Sequence, residues 1–224
     1  MNDERISEVE QELIKVREQI DKIAKTKNHS SPARYWQLWV QEKQLEREIA
    51  KLSNKPYAVP YDIGCVPEAG VSGAVAIQTE YRTTLLFNAM PPDIPWNDSD
   101  TNETYRERRF HSFGPEGLGR AVVSFQRCIK STFGHPNDEA IEGHPLYHSG
   151  LEAYAIFEVL NSDWICEIDR QNRISFPNTS YADLRHFIFT FHDSSFECVA
   201  ANLTVQFCRD GSVQKKLLEA ALEE

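Results

Sequence analysis

Side chains able to do chemistry gather at two places in this 224-residue chain. The first is His135-Pro-Asn-Asp138-Glu139, followed closely by His144-Pro-Leu-Tyr147-His148. His144 and His148 stand four apart, a spacing that sets two imidazoles on one side of a helix and suits a metal ion if a carboxylate such as Asp138 joins them. Pro145 between them fits only a first helical turn. Polar residues in so turn-rich a stretch more often satisfy nearby backbone groups. No metal is therefore expected, and Asp138, His144 and His148 are the alternative ligand set.

The second place is Arg185-His186, then His192-Asp193-Ser194. Three adjacent turn residues cannot reach nucleophile–base–orienter geometry among themselves. Asp and Ser are also what a hairpin turn uses for its own hydrogen bonds. The flanking strands offer a better arrangement, because alternation puts His186, Thr190 and Glu197 on one face. If loop 135–148 folds over that face, His144 or His148 joins Arg185 to complete a polar pocket suited to an anion or to proton transfer. The candidate catalytic residues are thus His144, His148, His192 and Glu197. The candidate binding residues are Arg185, His186 and Thr190.

Several chemistries have no motif to carry them. The chain has no GxxxxGK[ST], HExxH, GxSxG or CxxC, and Gly114-Pro-Glu-Gly117-Leu-Gly119 is not a dinucleotide fingerprint. Cys65, Cys128, Cys166, Cys198 and Cys208 are widely spaced and odd in number, unlike a disulfide framework or a zinc site. Cys128 and Cys198 fall in expected strands and read as small core residues. No cofactor is implied.

The elements that must hold these residues begin with a seven-residue rhythm. Ile6, Val9, Leu13, Val16, Ile20 and Ile23 step 3-4-3-4-3, and Tyr35, Leu38, Glu42, Leu45, Ile49 and Leu52 resume it with one polar interruption. This predicts helices over 3–27 and 32–53. Between them lies a polar linker in which Ser31 can cap and Pro32 can start the second helix. Two such helices fold back as a short antiparallel coiled coil. A hairpin this small needs further contacts, so its seam (Ile6, Val9, Leu13, Val16, Ile20, Leu38, Leu45, Ile49 and Leu52) is the expected interface with a second copy or a protein partner.

Beyond residue 55 the pattern turns to strands: 74–81 and 83–90, 122–130, then 154–160 as strand or helix. A helix follows over about 161–172. Phe187, Phe189 and Phe191 precede a turn, with Phe196 and Cys198 after it, so these five side chains share a core-facing side. With Phe191 opposite Phe196, Thr190 opposes Glu197. Leu203, Val205 and Phe207 form another strand, and Ser212 caps a last helix. The fold class expected is α+β: a helical hairpin (1–55) and an acidic, mainly antiparallel β-sheet domain with two or three helices (56–224).

Charge divides the same way. Residues 1–55 carry 11 Lys+Arg against 10 Asp+Glu, net +1, leaving 13 against 24, net −11, for the rest. An acidic body repels phosphate backbones, so nucleic acid is not an expected partner, and Arg106, Arg108 and Arg109 read as a solvated loop group. No apolar run approaches the roughly 20 residues that cross a bilayer, and no secretion signal opens the chain, so the reading is cytoplasmic. Together these features describe an intracellular interaction or regulatory module. The alternative is a hydrolase-type enzyme using loops 135–148 and 185–197.

Overall fold

Helix α1 (Asn2–Lys25) places Asp3 and Glu4 in its first turn and Lys22 and Lys25 in its last, each complementing the helix dipole. Helix α2 (Pro32–Leu52) opens on a proline, whose missing N–H costs nothing at that position. The computed structural model describes residues 2–25, 32–80, 82–92, 117–181 and 183–209. The linker with Ser31, the group Arg106, Arg108 and Arg109, and the last helix after Ser212 lie outside those residues.

The two seams pack on each other. Val9, Leu13 and Val16 of α1 are buried with Leu38 and Leu45 of α2, rimmed by Ile20, Ile23, Ile49 and Leu52, while Ile6 is half-buried. Each fully buried side chain of this kind contributes about 1.5–3 kcal/mol. Cross-helix bonds fix an antiparallel register. On one flank Arg5 Nη2 donates to Glu48 at 2.8 Å, Gln41 to Glu12 at 3.1 Å and Arg34 to Gln19 at 3.2 Å. On the other flank Arg17 donates to Glu42 and Glu46, both at 2.7 Å. Glu42, the polar break in the rhythm, thus receives the arginine from the facing helix. No helix among the described residues is long and apolar enough to cross a membrane.

Two compact units emerge. One comprises Met1–Val59, Glu142–Leu151 and Val159–Ser162; the other comprises Pro60–Ile141, Glu152–Glu158 and Asp163–Glu224. The strands are β1 (Tyr57–Pro60), β2 (Val66–Pro67), β3 (Val75–Gln78), β4 (Thr83–Met90), β5 (Gly119–Gln126), β6 (Lys130–Gly134), β7 (Ile156–Leu160), β8 (Arg185–Thr190), β9 (Ser195–Ala200) and β10 (Asn202–Cys208). One sheet runs β1-β7-β8-β9-β6, the other β10-β5-β4-β2 with β3 also on β4. The described ladders are antiparallel.

The second unit is built from sheet on sheet. Leu85, Phe87, Val123 and Phe125 of one sheet share a core with Phe187, Phe189, Phe196 and Cys198 of the other, joined by Phe191. Phe125 meets Phe196 at 5.3 Å and Phe87 meets Phe191 at 5.4 Å between ring centres, the tilted geometry aromatic pairs favour. The five side chains expected on one face of the 187–198 hairpin are all there. Their register differs by two residues: Phe189, not Phe191, opposes Phe196, and Thr190 opposes Ser195 rather than Glu197. The turn is only His192-Asp193, closed by Phe191 N donating to Ser194 O at 2.8 Å, so Ser194 and Ser195 join the return side. A shift of two preserves which face each side chain takes.

Two boundaries differ from expectation, and one open alternative closes. Strand β5 stops at Gln126 because Arg127 turns at φ 50°. The chain then enters the other sheet as β6, where one strand over 122–130 was expected. Residues 156–160 resolve as strand, followed by the expected helix, α3 (Asp163–Asn172).

Candidate functional site

The second face of the 187–198 hairpin, expected to line a polar pocket, is closed. His186 and Thr190 are 3% and 1% exposed. His186 Nε2 lies 3.0 Å from Glu197 Oε1. Trp164 of α3 stacks on the imidazole at 4.8 Å and 11°, and Lys130 Nζ sits 3.9 Å over the indole. The amphipathic helix therefore uses its tryptophan to cover the histidine–glutamate pair. Thr190 is equally occupied, since its hydroxyl donates to the carbonyls of Glu152 and Ala155 at 2.9 and 3.1 Å and accepts from Ala155 N at 2.9 Å. It anchors the turn before β7.

Arg185 sits on the opposite, phenylalanine side. Its guanidinium makes a fork with Glu158, at 2.8 and 2.5 Å, donates to Tyr61 OH at 3.0 Å, and lies over the Tyr61 ring at 4.5 Å. The Glu158 carboxylate raises its pKa further above the ordinary arginine value. A guanidinium so fully engaged is a clasp between β7, β8 and the 61 segment and has little left for an anion. Arg185, His186 and Thr190 thus do not gather into a common binding surface.

His144 and His148 belong to the helical-hairpin unit. Leu146 N donates to His144 Nδ1 at 3.1 Å, a local turn bond. His148 Nδ1 lies 3.5 Å from Glu46 Oε1, part of a charged network around α2. Lys43 Nζ donates to Glu46 Oε2 at 2.9 Å and to the Tyr147 carbonyl at 3.0 Å, with its ammonium 4.1 Å from the Tyr147 ring centre. Both Lys43 and Glu46 are 2% exposed. Burial, then Glu142 beside it, pushes the Tyr147 hydroxyl up to about 12. These contacts hold the Tyr147–Ser149 turn onto α2. Among the described residues no group of three or more His, Cys, Asp or Glu side chains could hold a metal ion.

One constellation does assemble from separated parts of the chain. His192, at the hairpin turn, places Nδ1 2.9 Å from Asp138 Oδ2 and 3.0 Å from Tyr154 OH. The Tyr154 hydroxyl also donates to Asp138 Oδ2. Asp138 N donates to His192 O at 3.1 Å, tying the two loops by backbone as well. Tyr154 reaches the pair from the tight turn before β7, where it adopts φ 57°, a conformation costly for a bulky side chain. Asp138 binding at Nδ1 fixes the tautomer and leaves Nε2 outward, 3.9 Å from Asp193 Oδ1. The imidazole remains 36% exposed and the Asp138 side chain 15%.

Electrostatics follow that geometry. The hydrogen bond to Asp138, with Asp193 and Glu139 nearby, raises the His192 pKa. Burial works against ionising Asp138, but the hydrogen bonds from Tyr154 and His192 outweigh it and hold the carboxyl below its ordinary range. Burial first, then Asp138, pushes Tyr154 up to about 12. The group favours the protonated imidazole and presents Nε2 to solvent.

Of the sequence candidates, His192 and Asp138 come together, Asp138 as orienter of an imidazole. Glu197 pairs with His186 instead. Tyr154, Trp164, Glu158 and Tyr61 were not foreseen. Tertiary hydrogen bonding leaves no spacing signature in the sequence.

The arm offers a surface of a different kind. Its seam is internally satisfied, yet Trp36 and Ile14 are each 57% exposed and Val40 is 52% exposed. Trp36 and Val40 stand one turn apart on α2. The Glu12–Gln41 pair sets Ile14 level with Trp39, and Ile14, Trp36 and Trp39 fall on the Arg17 flank of the hairpin. No family model, curated protein or solved structure matches this chain.

Proposed function

We propose that the protein is an interaction module that self-associates through the outer flank of its helical hairpin, around Trp36, Val40 and Ile14. The observation that supports this reading is the exposed tryptophan with aliphatic neighbours on a helix whose seam is already filled. Tryptophan is the residue type most enriched among interface anchors, and apolar side chains grouped on a helix face mark association surfaces. A second copy is the occupant that charge favours. The arm is nearly neutral at +1 while the remainder carries −11, so arms are where two copies meet with least repulsion. The seam residues, first expected to meet a second copy or a protein partner, act in this reading within each hairpin.

The test is light scattering on wild type, Trp36→Ser/Val40→Ser and Leu13→Glu. The outer-face variant keeps its helical circular dichroism and scatters as a monomer at concentrations where wild type is larger. Leu13→Glu loses helix signal, because Leu13 sits inside the hairpin. A wild type that scatters as the outer-face variant does at every concentration contradicts the proposal.

A second reading rests on the convergence of Asp138, Tyr154 and His192. An imidazole oriented at Nδ1 and open at Nε2 is equipped for general acid–base work, as in a hydrolase. Its test is hydrolysis of an activated aryl ester by wild type, His192→Gln and Asp138→Asn. In this reading both variants lose about 100-fold or more. Equal rates for all three remove it.

A further inference from the structure

His192 carries its open nitrogen among carboxylates that approach from two sides. Asp193, beside it at the hairpin turn, holds Oδ1 3.9 Å from Nε2. That gap is too long for a hydrogen bond, so the carboxylate flanks the nitrogen without occupying it. Glu139 comes from the facing loop, where its N–H donates to Asp138 Oδ1 at 2.9 Å. The Glu139 side chain is exposed and that of Asp193 is 61% exposed, so both carboxylates can meet an incoming ligand. Asp138 is already committed to Nδ1 and to the Tyr154 hydroxyl. Among the described residues no lysine or arginine pairs with any of the three.

The pocket expected from the sequence was suited to an anion, with Arg185 to hold it. Arg185 is instead clasped by Glu158. We propose that the His192 site takes cationic substrates, carboxylic esters that carry an aliphatic ammonium a few atoms from the scissile carbonyl. This rests on the acid–base reading of His192 and adds the substrate class to it.

The chemistry divides the carboxylates by role. Asp138 keeps the proton of the neutral ring on Nδ1 and leaves the lone pair at Nε2. Nε2 takes a proton from water as the water oxygen bonds to the acyl carbon. It returns that proton to the departing alkoxide as the C–O bond breaks, giving acid and alcohol with no change of oxidation state. Asp138 neutralises the imidazolium formed between these steps. Three carboxylates against one imidazolium leave two negative charges unmatched, those of Asp193 and Glu139. An ammonium on the acyl chain matches them and holds the carbonyl near Nε2, whereas a carboxylate there is repelled. The −11 carried by residues 56–224 adds a longer-range pull on cations that salt weakens.

The experiment compares three p-nitrophenyl esters on the full-length protein: those of γ-(trimethylammonio)butyrate, of its uncharged tert-butyl isostere and of glutarate. Each kcat/KM is divided by that ester's rate with free imidazole, which removes differences in intrinsic reactivity. The expected order at low salt is cationic, then neutral, then anionic, with about threefold to tenfold at each step. The spread should shrink in about 0.5 M salt, where exposed charges are screened. Asp193→Asn/Glu139→Gln should bring the cationic-to-neutral ratio close to one, and Asp193→Lys should move the ratio in favour of glutarate. Equal normalised rates for the three esters with wild type overturn the inference, as does a cationic preference that both variants keep. The acid–base reading fails separately: His192→Gln then hydrolyses all three esters as fast as wild type.

Discussion

Replacing Glu46 by leucine should harm the hairpin unit far more than replacing Lys43 by methionine. The two form an ion pair at 2.9 Å, each side chain 2–3% exposed. Their other partners differ. When Lys43 is removed, Glu46 still receives Arg17 Nη2 at 2.7 Å, so its charge remains compensated. When Glu46 is removed, Lys43 keeps the Tyr147 carbonyl at 3.0 Å and the Tyr147 ring but loses its one carboxylate partner among the described residues. An uncompensated buried charge costs about 3–5 kcal/mol. Removing Lys43 leaves mainly the Tyr147 carbonyl without its donor, about 1–3 kcal/mol. The double variant Lys43→Met/Glu46→Leu removes the stranded charge and should be more stable than Glu46→Leu alone by about 2 kcal/mol. Urea unfolding followed by far-ultraviolet circular dichroism reads this unit well, because α1 and α2 supply 24 and 21 helical residues against 10 in α3. At about 2–4 °C per kcal/mol, Glu46→Leu should lower Tm by roughly 6–20 °C. Equal losses for the two single variants, or a double variant worse than both, would refute the assignment of Arg17 as the compensating group.

Three further outcomes follow from the same contacts. His192 should titrate above the ordinary imidazole value of about 6.5 in a proton NMR experiment, and Asp138→Asn should lower its midpoint; a midpoint unmoved by the variant contradicts the hydrogen bond. Because folding raises the His192 pKa, its contribution to stability is complete below about pH 6.5 and is lost as pH rises through the raised value; that of Asp138, depressed on folding, holds above about pH 4 and is lost as pH falls through the lowered value. Leu45→Ala, inside the hairpin seam, should cost about 2–5 kcal/mol, whereas Val40→Ala on the outer flank should cost under about 0.5 kcal/mol, both by urea unfolding; comparable costs would mean that the flank is not free.

Local periodicity made the secondary structure legible. The heptad rhythm named both helices within two residues at each end, and the alternation of Phe187, Phe189, Phe191, Phe196 and Cys198 named the core face of their hairpin. Register escaped because it turns on whether Ser194 belongs to the turn or the strand, and Asp and Ser suit either. The second sheet escaped because alternation identifies a buried face without saying what buries it. Charge pairing was the hardest to read. Glu42 looked like a flaw in the seam until Arg17, on the facing helix, was set against it. Arg185 looked like an anion ligand because Glu158 and Tyr61 come from distant segments. Tyr154 joins His192 and Asp138 through a left-handed backbone that tyrosine disfavours, so no propensity points to it.

Sedimentation velocity of the wild-type chain over about 1–200 μM is the most direct measurement of the self-association account, since an interface anchored by a few side chains on a small flank belongs to the weak, micromolar class. A sedimentation coefficient that climbs across this range toward the dimer value, and that Trp36→Ser returns to the monomer value, is the predicted result. A single monomeric boundary at every concentration would contradict it.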